Sequence, residues 1–282
     1  MTSPVPPSPL PVKDFLDDLV EHFERPEFIA ADPIAIPHGF DDPRDQEIIG
    51  LFAAILAWGR RQTVLDKMEK LCERMDYRPF RFVADFRAGR DAGRLAGFKH
   101  RTFQPPDALW LVRNLSALLR SADTVEQLFS LHMTPSASDT RQAIEGFSTS
   151  VLTADPETPP RLAKHLARPS TGSACKRLNL FLRWMVRPGP FDLGIWKDIR
   201  TDQLVLPLDV HSGRQARRLG LLNRRTNDWQ AAMELTRSCR TMDVDDPCRY
   251  DLALFGMGAY DVPVDARLAP ETTSMSTSSP TE

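Results

Sequence analysis

The chain has 282 residues, 41% hydrophobic and 26% charged, with a formal charge of −2. That composition suits a globular protein of one large domain or two small ones sharing a core, and it argues against a uniformly basic, histone-like packer. No apolar run reaches membrane-span length, and "MTSPVPPSPLPVK" lacks the apolar centre of a signal peptide, so a cytoplasmic protein is expected.

Residues 1–11, rich in Pro and Ser, are expected to be disordered, and so is the polar, low-complexity tail over 265–282. Between them, over 12–264, the pattern is helical. In "DQEIIGLFAAILAWGRRQTVLDKMEKLCERM" the residues Ile48, Leu51, Phe52, Ile55 and Leu56 fall at the spacing of one helix face. Leu65, Met68, Leu71, Cys72 and Met75 continue it in a second helix. "DALWLVRNLSALLRS", "TVEQLFSLHM", "RQAIEGFSTSVL" and "DWQAAMELTRSC" repeat the signature. "DDPCRYDLALFGMGAY" predicts a helix with Asp246 as N-cap, Pro247 at its first position, and Gly256 and Gly258 ending it. The one extended-looking piece, "QLVLPL", carries a proline and is too short to found a sheet. The fold class is all-α.

Four cysteines (Cys72, Cys175, Cys239, Cys248) form no CxxC pair, and the six histidines are dispersed. No metal site is visible, and the cysteines are expected as reduced, mostly buried thiols.

Charge is unevenly spread. Residues 161–225 hold 14 Lys and Arg against 4 Asp and Glu, whereas the remainder holds 22 against 34. A third of the core with that excess predicts an anionic partner, nucleic acid first among them.

Two residues in this segment could carry chemistry. On a helix, "KRLNLFLRWMVR" places Lys176, Asn179, Arg183 and Arg187 on one polar stripe with apolar residues around the rest. Lys176 then sits in the first turn, where the helix dipole disfavours a cation by roughly 0.3–1 kcal/mol at an exposed site. Arg177 adds like-charge repulsion, and both effects favour a neutral, nucleophilic amine. A phosphate-binding lysine at a helix start is an equal alternative. In "LPLDVHSGRQARRLGLL", Asp209 stands before an arginine-rich helix. The ordinary role there is an N-cap. A carboxylate beside a desolvated lysine would also stabilise a positive, sugar-like transition state.

These residues carry a resemblance. "LPLDVHSGRQARRLGLL" resembles the segment of helix-hairpin-helix DNA glycosylases that bears the catalytic Asp, and "STGSACKRLNLFLRW" resembles their hairpin and, in bifunctional members, the Schiff-base lysine. "FAAILAWGRRQT" resembles the early helix whose end brings a Gln near the DNA. The wide interval between Lys176 and Asp209 is similar to the archaeal branch that removes oxidised guanine. The chain from about Val12 to Val262 resembles an uncharacterised bacterial family distantly related to that superfamily. Where the hairpin usually reads Gly-x-Gly, only Gly172 remains.

The resemblance implies a two-lobed glycosylase-like helical fold and cleavage of a damaged base, an oxidised purine among the candidates, from duplex DNA, with abasic-site lyase activity. It implies Lys176 and Asp209 as catalytic residues and no cofactor. Gln62, Gly172, Ser173, Arg177, Arg183, His211, Arg214, Arg217 and Arg218 would contact DNA. One of Trp58, Trp110, Trp184, Trp196 and Trp229 would stack on a base if any is free of the core. The expected partner is DNA, with no membrane and no metal cluster, and the chain is expected as a monomer in the cytoplasm, on the nucleoid when bound. Two rivals stay open: a non-catalytic nucleic-acid-binding protein on the same scaffold, and a helical protein docking its basic lobe on an acidic partner.

Overall fold

The computed structural model of the chain describes residues 9–260. The expected tail at 265–282 and the first eight residues lie outside the described residues. Residues 9–11, read from composition as part of a disordered start, instead open helix α1 (Pro9–Phe23). A proline in the first turn lacks only an N–H that would have no intrahelical partner, so Pro9 and Pro11 are compatible with helix there.

Twelve further α-helices follow among the described residues: α2 (Ala35–His38), α3 (Pro43–Leu56), α4 (Arg61–Arg74), α5 (Pro79–Ala84), α6 (Ala88–Leu95), α7 (Pro105–Leu118), α8 (Val125–Ser130), α9 (Arg141–Thr153), α10 (Lys176–Val186), α11 (Val210–Arg218), α12 (Trp229–Arg240) and α13 (Tyr250–Ala259). Extended pairing among them is limited to two isolated bridges, His100–Phe103 and Ser173–Asp228. The chain is all-α, as its periodicity predicts. No described helix is long and apolar enough to cross a membrane.

The centre of the fold is α3. Asp42 caps it by accepting the Arg44 N–H, Pro43 opens it, and every residue from Glu47 to Leu56 is buried. The sequence predicted one apolar face, but this helix is enclosed on all sides because α2, α5, α8 and α10 pack around it. Gly50 permits the closest of these approaches, since a Cβ there would stand 2.8 Å from the Met185 side chain of α10. Full burial of each large aliphatic side chain contributes roughly 1.5–3 kcal/mol, and α3 contributes five such residues to one continuous apolar cluster. All four cysteines are buried free thiols.

The expectation for "DDPCRYDLALFGMGAY" needs correction. Pro247–Arg249 form a short 3₁₀ turn, and α13 begins only at Tyr250. The Asp246 side chain caps nothing and instead pairs with Arg187. Gly256 and Gly258 lie within α13 and do not end it. A Cβ on Gly256 would stand 2.2 Å from the Phe23 ring, and one on Gly258 would stand 3.3 Å from His211 Cβ. The two glycines therefore let α1 and α11 pack on α13.

Candidate active site

The turn before α10 is fixed from several directions. Gly172 adopts a left-handed conformation at φ +80°, and so does Cys175 at φ +50°, which is uncommon for a residue with a Cβ. Ser173 Oγ accepts the Cys175 N–H at 3.1 Å, and the Trp229 N–H donates to the Gly172 carbonyl at 3.2 Å. With the Ser173–Asp228 bridge, these bonds pin the turn to the start of α12 and set the first turn of α10 at Lys176.

Asp209 arrives by another route. The buried, irregular run Leu204–Leu208 is tied to α12 where the Leu206 N–H donates to Thr236 Oγ1 at 3.0 Å. Asp209 ends this run as the N-cap of α11. Its Oδ1 accepts the N–H groups of His211 at 2.8 Å and Ser212 at 2.9 Å, and its own N–H donates to Ser212 Oγ at 3.0 Å. The ordinary capping role is therefore real. The other oxygen, Oδ2, lies 3.7 Å from Lys176 Nζ, with the two side chains 30% and 27% exposed. Residues thirty-three positions apart thus meet as a reachable ion pair.

Both line a cavity of about 720 Å³. Its N-terminal contributors include Asp32, Trp58 and Arg61, and its C-terminal ones include Arg177, Asp251 and Phe255. Two of its arginines rest on aromatic faces that also line it: Arg61 over Phe255 at 4.8 Å and Arg177 over Trp58 at 5.2 Å from the ring centre. Neither forms an ion pair among the described residues. Burial holds the Arg177 guanidinium below its ordinary range. Burial also pushes up two carboxyls of the wall. Asp32 rises despite an N–H bond from Ile34 and the charges of Arg183, Arg61 and Lys176, and Asp251 is pushed up to about 6 despite Arg183. The site therefore combines an amine, a capped carboxylate, two desolvated carboxyls and two stacked guanidinium groups.

Residues 32–260 match the family model described as "Protein of unknown function (DUF2400)". The chain belongs to this family. No curated protein and no solved structure matches it.

Of the residues singled out from sequence, Lys176, Asp209, Ser173, Arg177, Arg183 and His211 line the cavity. Gly172 stands one residue outside, in the turn that positions it. Arg214, Arg217 and Arg218 line a second, open hollow of about 610 Å³ with Val210, Arg225 and Asn227. Gln62 lies in the first turn of α4, exposed and donating to Asp66 Oδ1 at 2.8 Å. Its neighbour Arg61 reaches the cavity in its place.

Arg183 requires correction. Its side chain is 4% exposed and lies between Asp192 Oδ1 at 3.2 Å and Asp251 Oδ2. A guanidinium held between two buried carboxylates carries no surplus charge for a phosphate. Arg187 is likewise buried against Glu24, Asp192 and Asp246. Arg217 is largely engaged by the carbonyls of Arg224, Arg225 and Thr226 and by Asn227 Oδ1, so it braces the loop after α11. The excess of the basic segment is thus partly neutralised by acids from outside it, Asp107 on Arg161 and Asp228 on Arg224 included.

Sequence reasoning missed Asp32, Arg61, Asp251 and Phe255, and left Trp58 undistinguished among five tryptophans. Trp184, Trp196 and Trp229 are core residues, whereas Trp58 is only partly buried and carries Arg101 over its ring at 4.6 Å as well as Arg177. The local signal is "WGRR" at the end of a long apolar helix, which brings Trp58 and Arg61 to the cavity, but the cations on the Trp58 ring come from Arg101 and Arg177, distant in sequence.

Proposed function

We propose that this chain is a DNA repair glycosylase with abasic-site lyase activity, built on a two-lobed helix-hairpin-helix glycosylase-like fold and excising a damaged base flipped from duplex DNA, an oxidised purine being one candidate class. The observation that carries the reading is the approach of Lys176 Nζ to Asp209 Oδ2, 3.7 Å, in the wall of a cavity large enough for a nucleotide. Lys176, once neutral, adds its lone pair to the sugar C1′ while the bond from C1′ to the base nitrogen breaks and its electrons leave with the base. While that bond breaks, the Asp209 carboxylate offsets the positive charge that develops on the sugar, and its Oδ2 then takes a proton from the ammonium that Nζ becomes on bonding to C1′. Held by two N–H donors through its other oxygen, Asp209 needs little reorganisation to do this.

Phosphates would be held by Arg214 and Arg218 in the open hollow, by His211, and by the Ser173 N–H in the turn before α10. A base would stack on Trp58 in exchange for Arg101 or Arg177, which rest on its ring. The test is reductive trapping: borohydride should crosslink the protein to DNA bearing an abasic site, Lys176→Gln should abolish the crosslink, and Asp209→Asn should lower base excision by about a hundredfold or more while leaving DNA affinity within a few fold. Equal trapping by wild type and Lys176→Gln removes Lys176 from the chemistry. DNA binding with no excision from any lesion panel favours the non-catalytic binding protein.

A further inference from the structure

We propose that Asp32 is a second catalytic carboxyl of this site, the acid that protonates the departing base. The proposal rests on the glycosylase reading above and adds a residue to which neither the resemblance nor the family assigns a role.

Three carboxyls line the cavity, and their surroundings separate their roles. Asp209 has one oxygen fixed by the α11 cap and the other turned to Lys176. Asp251 is bound to Arg183 within the buried ion network. Asp32 alone forms no ion pair among the described residues. Its place is nonetheless fixed: its N–H donates to the Ile29 carbonyl at 2.9 Å, its carbonyl accepts from Ala35 at 2.9 Å, and its Oδ1 accepts the Ile34 N–H at 3.1 Å. The charged groups that face it are Arg183 and Lys176 of α10 and Arg61 of α4. Three cations would ordinarily hold a carboxyl well below its usual range. Burial outweighs them and leaves the group above it. A carboxyl raised in this way and sharing a cavity with a nucleophile is the arrangement expected of a general acid.

The step it completes balances. Lys176 Nζ forms its bond to C1′, the bond from C1′ to the base nitrogen breaks, and the electron pair stays on the base. Asp32 then gives its proton to the base and becomes a carboxylate, which Arg61, without an ion pair among the described residues, stabilises. Asp209 receives the proton that Lys176 loses. No oxidant, reductant or further reactant enters.

This role predicts a separation between two readouts. Forming an imine with a ready-made abasic sugar involves no departing base, so Asp32→Asn should trap abasic DNA within a few fold of wild type. Excision of a base should fall about a hundredfold or more, the usual contribution of a general acid. Excision by the wild type should also decline as pH rises, whereas Asp32→Asn should lose that dependence, and Asp32→Glu should restore part of both rate and pH dependence. A thermal melt of each variant checks the fold. Wild-type excision by Asp32→Asn across the pH range overturns the proposal, and so does a loss of trapping as large as the loss of excision, which would mean that Asp32 only positions Lys176. If the wild type neither traps nor excises, the glycosylase reading itself falls and this proposal with it.

Discussion

The two ends of α10 carry similar cations with opposite fates. At the first turn, Lys176 lies 3.7 Å from a single, partly exposed carboxylate, and Arg177 rests on Trp58 without an acid partner among the described residues. Two turns later, Arg183 and Arg187 are enclosed by Asp192, Asp251, Glu24 and Asp246. Seven residues of helix therefore separate charge kept available in a cavity from charge consumed in holding α1, α10 and α13 together. A count of basic residues cannot distinguish the two. What distinguishes them is which side of α10 faces an acid contributed from elsewhere in the chain.

The sharpest way to break the comparison is to remove one cation from each end. Lys176→Gln should abolish borohydride trapping while leaving the urea unfolding midpoint nearly unchanged, because its only close partner is itself a solvated cap. Arg183→Met should do the reverse in kind: it strands Asp251 in the core and leaves Asp192 to Arg187 alone, at a cost of about 3–5 kcal/mol, a large share of an ordinary domain's stability. A stable Arg183→Met protein that has merely lost DNA affinity would restore Arg183 as a phosphate ligand and erase the contrast.

Legibility from sequence follows the same division. Lys176 at a helix start and Asp209 as N-cap were readable because both depend on rules that act within about four residues. The fate of Arg183 was not, because it depends on Asp251, sixty-eight residues away. Gly256 and Gly258 misled for the same reason. Near a helix end a glycine reads as a stop, and only the approach of Phe23 and His211 reveals why these positions lack a Cβ. Asp32 falls in a turn with no periodicity, so nothing local marks it. The all-α class survived these errors because it rests on many independent periodic segments, whereas each site residue rests on one or two tertiary neighbours.

A finer test lies on α11, where adjacent arginines divide in the same manner. Arg214 and Arg218 are exposed, while Arg217 is tied to three carbonyls. Reversing Arg214 and Arg218 to Glu together should weaken binding of any DNA sequence by roughly tenfold or more and flatten its salt dependence, with stability within about 0.5 kcal/mol. Arg217→Glu should instead lower stability as well, since it leaves the Arg224–Thr226 carbonyls without their donor. If the double reversal leaves affinity at moderate salt unchanged, the open hollow is not the phosphate surface.

The gentlest probe uses Asp251, which touches both regimes: it lines the cavity and pairs with Arg183. Burial pushes its carboxyl up from an ordinary 3.8 to about 6. In the folded protein it therefore holds a proton over a pH interval in which the unfolded chain has already lost it. Protons are taken up on folding across that interval, so this group adds stability as pH falls from 7 through about 6 toward 4, and the gain is lost as pH rises back through the folded value. One such group gives at most about 1.4 kcal/mol per pH unit. Urea midpoints of wild type and Asp251→Asn, compared from pH 7.5 to 5, should converge or diverge in one direction only. The wild type should gain on the variant as the solution is acidified, because Asn cannot take up the proton. A difference independent of pH would mean that the Arg183 pair keeps Asp251 ionised throughout. In that case the division along α10 would be fixed, and mild acid would leave the buried end untouched.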